Sequence, residues 1–307
     1  MRVADGGLHE PSSDGTVTWR EVLAETEVRL TSRGLPVVEA GWIIQQVAGG
    51  DHGSGSKGRL GSGHLDGLVT VRGMARLDTM VGRRLAGEPL QYVLGSWSFR
   101  TLDLMVDQRV LIPRPETEAV VGHALAEFDR VGGGRDEVLV ADLGTGSGAI
   151  GLSIAAERVT ARVWCTDVSR DALAVATANL TGLGRPARRV TICEGSWFDG
   201  LPADLAGALD LLVSNPPYVA VGEPLPAEVA GWEPRLALVP GTDGTEALET
   251  LIDGSVAWLR PGGALVLELA PDQASAMVDR ALSVGLATVD VRRDLAGRDR
   301  ALVARRP

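Results

Sequence analysis

The sequence predicts an α/β protein: a mostly parallel, doubly wound sheet preceded by a small helical region and a hairpin. Three observations predict it. After Gly134, short apolar runs alternate with helical stretches, the pattern of strand–helix–strand units in a parallel sheet. Before Gly95, apolar residues recur at helical spacing instead. Between these regions lies a segment of alternating apolar residues that ends in a proline-punctuated run.

Residues 1–15 are polar and rich in Gly, Ser and Asp, and are expected to form a disordered start. Thr18 and Glu21 have the spacing of a capping box, a hydroxyl at the N-cap and a carboxylate three residues on. Val22, Leu23, Thr26 and Leu30 continue at helical spacing, and Gly34 ends that helix. A second helix is expected over Val37 to Val47, with Trp42, Ile43 and Val47 inward. Residues 49–63 are Gly/Ser-rich and read as a flexible loop. A third helix is expected from Leu65 to Leu85, so that residues 16–90 form a helical domain. Phe99, Leu102, Leu104 and Val106 suit a hairpin within a linker of residues 91–115.

Residues 116–307 then form the α/β domain, opening with a helix from Glu116 to Val131. Its strand candidates are Val138–Leu143, Arg162–Asp167, Val190–Glu194, Leu209–Ser214, Ala264–Leu269, Thr288–Val291 and Ala301–Ala304.

With 307 residues, 45% of them hydrophobic, the chain can bury a sizeable core in two domains. Forty acidic against 30 basic residues give a formal charge of −10, which argues against a broad basic footprint for nucleic acid. Direct nucleic-acid binding is therefore not expected. Cys165 and Cys193 fall within predicted buried strands and read as small core residues, neither a disulfide framework nor a metal site. No apolar run has the length of a membrane span and no signal peptide is evident, so a soluble, cytoplasmic protein without a membrane partner is expected.

Two motifs carry the chemistry. Asp142-Leu143-Gly144-Thr145-Gly146-Ser147-Gly148 follows the first sheet strand and opens a helix, where glycines let the backbone turn tightly and approach a ligand. Asp167 ends the next strand, where a carboxylate can accept hydrogen bonds from ribose hydroxyls. This pair suits a dinucleotide or S-adenosyl-L-methionine. The acidic Asp142 favours the second, because a carboxylate suits an ammonium group better than a pyrophosphate. The other motif is Asn215-Pro216-Pro217-Tyr218, directly after the strand Leu209–Ser214. Asn-Pro and Pro-Pro also punctuate ordinary turns. At a strand end, however, the Asn215 side-chain oxygen and the Pro216 carbonyl can accept both hydrogens of a planar NH2 group, with Tyr218 as an aromatic cover.

Leu111-Ile112-Pro113-Arg114-Pro115-Glu116-Thr117-Glu118, the glycine loop through Ile150, and Ser214-Asn215-Pro216-Pro217-Tyr218 resemble the PrmC/HemK family of N5-glutamine methyltransferases. So do Glu233-Pro234-Arg235-Leu236-Ala237-Leu238, Arg260-Pro261-Gly262-Gly263 and Asp294-Leu295-Ala296-Gly297-Arg298-Asp299-Arg300. The resemblance is strong from about Pro89 to Ala304 and weak before it. It implies a helical substrate-recognition domain, a hairpin linker and a seven-stranded, Rossmann-like methyltransferase domain. It implies S-adenosyl-L-methionine bound by Asp142, Gly144, Thr145, Gly146, Ser147, Gly148, Asp167, Trp197 and Asn215. It places the substrate amide on Asn215, Pro216, Pro217 and Tyr218, with Arg114 and Glu116 alongside; Asn215, Pro216 and Tyr218 are the expected catalytic set, and no metal is called for. The implied substrates are peptide chain release factors, methylated on the glutamine of their Gly-Gly-Gln loop. This chain departs from the family in Ser196, where an acidic residue usually precedes the Trp-Phe pair.

Other readings share parts of the pattern. A ribosomal-protein glutamine methyltransferase would carry the same loop. An N6-adenine nucleic-acid methyltransferase would use a similar loop on a flipped base, against which the acidic composition weighs. A non-catalytic cofactor-binding scaffold would more readily have lost Asn215 or Asp167.

Overall fold

The computed structural model describes residues 16–51 and 65–307, which divide into two compact units, one of the described residues up to 94 and one of residues 95–307. The expected disordered start and residues 52–63 of the expected loop lie outside the described residues.

The first unit is helical. Helix α1 (Trp19–Thr31) starts at the capping box: Thr18 Oγ1 accepts from the Glu21 amide at 3.3 Å, and Glu21 Oε2 accepts from the Thr18 amide at 2.8 Å. Trp19, Val22, Thr26 and Leu30 form its buried stripe. Helix α2 (Val38–Asp51) runs past the expected end at Val47 and takes in the first residues assigned to the loop. It buries Ala40, Ile43, Ile44 and Val47, whereas Trp42 is 42% exposed. At 100° per residue, a stripe centred on Ile43 and Val47 turns Trp42 to its edge, so the expected inward Trp42 is corrected.

Helix α3 (Val71–Leu85) begins later than the expected Leu65, because Leu68 pairs with Thr18 in an isolated bridge and Thr70 caps the helix from the Gly73 amide at 2.9 Å. Helix α4 (Leu90–Leu94) closes the unit. Leu30, Ile43, Ile44, Leu77 and Val81 pack together in one core. A buried ion pair crosses it: Arg84 Nε and Nη2 donate to Glu39 Oε2 and Oε1 at 2.6 and 3.1 Å, the planar fork geometry that satisfies both groups.

The second unit opens with the antiparallel hairpin of β1 (Ser96–Phe99) and β2 (Leu102–Met105), which buries Phe99 and Leu104. Helix α5 (Pro115–Val131) has Pro115 in its first turn, where a missing N–H costs nothing. Then come β3 (Val138–Leu143), α6 (Ala149–Glu157), β4 (Ala161–Asp167), α7 (Arg170–Gly182), β5 (Val190–Glu194) and β6 (Leu209–Ser214). Helices α8 (Ala227–Trp232) and α9 (Glu246–Trp258), β7 (Leu259–Glu268), α10 (Ala274–Ser283), β8 (Ala287–Arg293) and β9 (Asp299–Arg305) complete the unit.

The seven strands lie in the order β5-β4-β3-β6-β7-β9-β8, with β5 to β7 parallel and β9 antiparallel to both of its neighbours. Strand β7 starts at Leu259, earlier than the expected Ala264; Leu259 pairs with Leu209, and a register shift lets the Arg260–Gly263 turn pass before the ladder resumes.

Alternate residues face opposite sides, as a half-pleat requires. Val140, Val163, Val213 and Val266 meet α5 and α6 on one face; Leu143, Leu212, Leu265 and Leu267 meet α9 and α10 on the other. Cys165 is buried as expected, but Cys193, near the end of edge strand β5, is only half-buried. Strands β3 to β5 run outward in one direction, and β6 returns to the other side of β3. The carboxyl ends of β3 and β6 thus flank the topological switch point, where open α/β sheets bind ligands.

Candidate active site

A cavity of about 450 Å³ opens at that switch point, within the size range of small-molecule sites. The loop after β3 forms one wall. Gly144, Gly146 and Gly148 all have positive φ. A Cβ on Gly144 would come within 3.1 Å of the Trp197 ring, and one on Gly148 within 2.8 Å of Leu152 Cδ1. Only glycine provides both the left-handed turn and the close approach there. Gly148 is the N-cap of α6, so the loop delivers the chain into a helix N-terminus beside the cavity.

Asp167, at the end of β4, lines the cavity and braces the loop: its Oδ2 accepts from the Gly146 amide and its Oδ1 from the Ser169 amide, both at 2.9 Å. Burial raises its carboxyl above the usual range, and the backbone donors only partly offset this. Each carboxylate oxygen retains a second lone pair for a ligand hydroxyl.

Asp142 lies beneath the loop, off the cavity wall. Its Oδ2 accepts from Thr145 Oγ1 at 2.6 Å and from the Gly151 amide at 2.8 Å, while Oδ1 is buried without a hydrogen-bond partner. Burial pushes its carboxyl up to about 6. The motif therefore places this acid as a support of the loop, one layer below the ligand space. Asp167 alone of the two acids reaches the wall, and Asp142 adds negative charge from beneath it, which suits the wall to a ligand with cationic groups.

Across the cavity stand Trp197, Asn215, Pro217 and Thr117. Trp197 has φ +47, a costly conformation for an aromatic residue, and its ring lies over Gly144. Asn215 leaves β6, and its Nδ2 donates to Thr117 Oγ1 at 3.3 Å. Among the described residues no hydrogen bond engages its Oδ1. Pro216 is buried just behind. Tyr218 turns away from the cavity; its hydroxyl donates to Glu268 Oε1 at 3.2 Å, and burial together with that carboxylate raises its pKa.

The Arg114 guanidinium pairs with Glu233, which also accepts from the Ile112 amide at 3.3 Å; Glu116 pairs with Arg298 at 2.7 Å. These contacts pin the Pro-Arg-Pro-Glu segment beside the site, and neither side chain lines the cavity wall. Sequence reasoning quoted Thr117 and Glu233 within the family motifs without giving them a place in the site, and passed over Glu268. Glu268 had a signal: a carboxylate inside the apolar run Ala264–Leu269, which burial without a partner would not permit.

A parallel sheet with a glycine loop after β3, an acid ending β4 and an Asn-Pro-Pro-Tyr loop after β6 defines a Rossmann-like methyltransferase. Residues 133–227 match the Methyltransferase small domain family and residues 21–95 the PrmC N-terminal domain family. The release factor glutamine methyltransferase of Xylella fastidiosa (strain 9a5c) is 45% identical over 245 residues, covering 80% of this chain and 86% of that protein. That of Moorella thermoacetica is 42% identical over 294 residues, covering 94% and 99%. The chain belongs to the release factor glutamine methyltransferase family. The hMettl16 catalytic domain, solved with the MAT2A 3'UTR hairpin 6, shares the fold with a TM-score of 0.51 at 15% identity, over 80% of this chain and 85% of that one.

The wall chemistry fits S-adenosylmethionine: room for the ligand, a carboxylate at the end of β4 that can accept from hydroxyls, and negative charge for a cationic group. Protonation of Asp142 removes negative charge from beneath the loop. The affinity for S-adenosylmethionine is therefore expected to weaken as pH falls through about 6, and Asp142→Asn to flatten that dependence. Calorimetric titrations between about pH 5 and 8 check this; an affinity that holds steady across the range in the unaltered protein contradicts it.

Proposed function

We propose that this chain transfers a methyl group from S-adenosylmethionine to the side-chain amide nitrogen of the glutamine in the Gly-Gly-Gln motif of peptide chain release factors, with release of S-adenosylhomocysteine and one amide proton. The observation that carries this reading is Asn215 at the switch point, its Nδ2 held by Thr117 so that Oδ1 can accept. When bound, the cofactor supplies an electrophilic methyl carbon. The residues of this chain do the rest. An amide nitrogen is a poor nucleophile, because its lone pair is delocalised into the carbonyl. Asn215 Oδ1 and the Pro216 carbonyl accept its two N–H bonds, which fixes the plane of the amide and raises electron density on nitrogen. Positioning supplies most of the acceleration, and preorganised dipoles supply the remainder. Pro216 and Pro217 stiffen the loop at fixed φ, so little is lost in ordering it on binding. Asp167 would take the ribose hydroxyls, and the glycine loop and Trp197, which line the same cavity, would hold the rest of the cofactor. Arg114 and Glu116, already fixed by Glu233 and Arg298, border the approach of the substrate loop.

No helix among the described residues is long and apolar enough to cross a membrane. A release factor as substrate places the reaction in the cytoplasm.

Selecting one glutamine on a folded protein needs more surface than an amide pocket offers, and the helical first unit is the proposed source. A chain beginning at Gly95 is expected to keep cofactor affinity and to lose most activity on intact release factor, with less loss on a Gly-Gly-Gln peptide. Equal activity of both forms on intact release factor would contradict that role. The function itself is tested by offering release factor, ribosomal protein and DNA side by side with labelled cofactor. Label on release factor alone supports it; label on either competitor in preference refutes it.

A further inference from the structure

We infer that Thr117 is a positioning residue that sets which way the Asn215 amide faces, its own hydroxyl being aimed by the buried carboxylate of Glu268. The inference rests on the glutamine-methylation reading for its rate measurements and, for its structural claim, on the hydrogen-bond geometry with Glu268 as a carboxylate, the form that its two hydroxyl partners and the Arg300 charge favour against burial.

Thr117, in the first turn of α5, is 3% exposed, and Glu268, the last residue of β7, is 1% exposed. Thr117 Oγ1 donates to Glu268 Oε2 at 2.7 Å and receives Asn215 Nδ2 at 3.3 Å. A hydroxyl has one hydrogen to give. With that hydrogen committed to a carboxylate, only lone pairs face Asn215. The amide can answer a lone pair only with its NH2 end. Its oxygen is thereby turned from Thr117, the orientation needed to accept a substrate N–H.

Glu268 also holds the far end of the same loop. Its Oε1 accepts from the Tyr218 hydroxyl at 3.2 Å, and Gln273 Nε2 donates to the Tyr218 carbonyl at 2.9 Å. One carboxylate from the neighbouring strand thus ties both ends of Asn215–Tyr218. Glu268 itself lies behind Thr117, outside the cavity wall, and acts through it. An amide free to flip would present oxygen and nitrogen in turn, and the nitrogen end repels the substrate N–H.

Three variants test this. Thr117→Val keeps the shape and removes the hydroxyl. It is expected to lower the single-turnover rate on release factor about tenfold or more, with cofactor affinity unchanged within about twofold. Thr117→Ser keeps the hydroxyl and is expected to recover at least about half the rate. In the Asn215→Ala background, adding Thr117→Val is expected to cost less than about twofold more, because its target is gone.

A second readout needs no turnover. The Asn215 side-chain NH2 resonances in 15N-labelled protein, assigned by their loss in Asn215→Ala, are expected to shift or broaden in Thr117→Val and to stay in place in Thr117→Ser. Unmoved resonances in Thr117→Val overturn the inference. So does an unchanged rate, a loss confined to cofactor affinity, a Thr117→Ser rate as low as that of Thr117→Val, or full additivity with Asn215→Ala. If the unaltered protein transfers no methyl to release factor, the functional reading has failed, and the resonances still decide the positioning.

Discussion

Asn215→Ala is expected to slow single-turnover methylation by about 100-fold or more at saturating cofactor, a barrier increase of about 2.7 kcal/mol. This is the scale on which removing one preorganised polar group from a reacting centre is felt. The change deletes the acceptor facing the substrate amide and leaves the sheet untouched, since Asn215 lies past the end of β6. Thermal stability should therefore stay close to that of the unaltered protein, and saturating cofactor removes any change in its affinity from the measured rate. Rapid-quench measurement of a single turnover reads the effect. A rate within about threefold of the unaltered protein, less than about 1 kcal/mol, would remove Asn215 from the assigned role.

The next largest effect is expected at Asp167. Asp167→Ala removes a carboxylate that would receive two ribose hydroxyls, each charge-assisted bond contributing roughly 1.5–3 kcal/mol before water compensates. It also releases the Gly146 amide, held at 2.9 Å, so the glycine loop loses a support as the ligand loses a partner. Asp167→Asn separates the two effects. Its side-chain oxygen can still hold the Gly146 amide, while its NH2 end gives up the Ser169 amide and cannot accept a hydroxyl, so the separation holds for the glycine loop only. Calorimetry is expected to show weakened binding for both variants, more for alanine. Unchanged affinity for alanine would place the ribose contact elsewhere.

The parts of the site that could be read in the sequence are those whose chemistry follows from a residue type at a strand end. Asp167 and Asn215 stand where β4 and β6 leave the sheet, and a glycine pattern after β3 has few other uses. Most strand bounds followed from apolar runs, because a parallel sheet covered on both faces leaves little else in its strands. What depended on three-dimensional neighbours was not legible. Asp142 is adjacent in sequence to the loop, yet the pleat turns its carboxylate beneath the loop, where Thr145 and Gly151 meet it. Glu268 was hidden in an apolar strand, and its partners Thr117 and Tyr218 are 151 and 50 residues away along the chain.

In the helical unit, the spacing identified helices but not their ends. Thr70 caps α3 because Leu68 is engaged with Thr18, a pairing that local propensity does not encode. Trp42 shows the limit of reading an apolar residue as inward: one position off the stripe of Ile43 and Val47, it is left substantially exposed.

Fragment mapping of the product shows whether this site methylates one amide nitrogen. Release factor treated with the unaltered chain and S-adenosylmethionine should carry a single added methyl, located by tandem mass spectrometry on the glutamine side chain of Gly-Gly-Gln. Release factor with that glutamine replaced by alanine should gain none. A methyl found on any other residue, or equal labelling of the substituted release factor, would contradict the account.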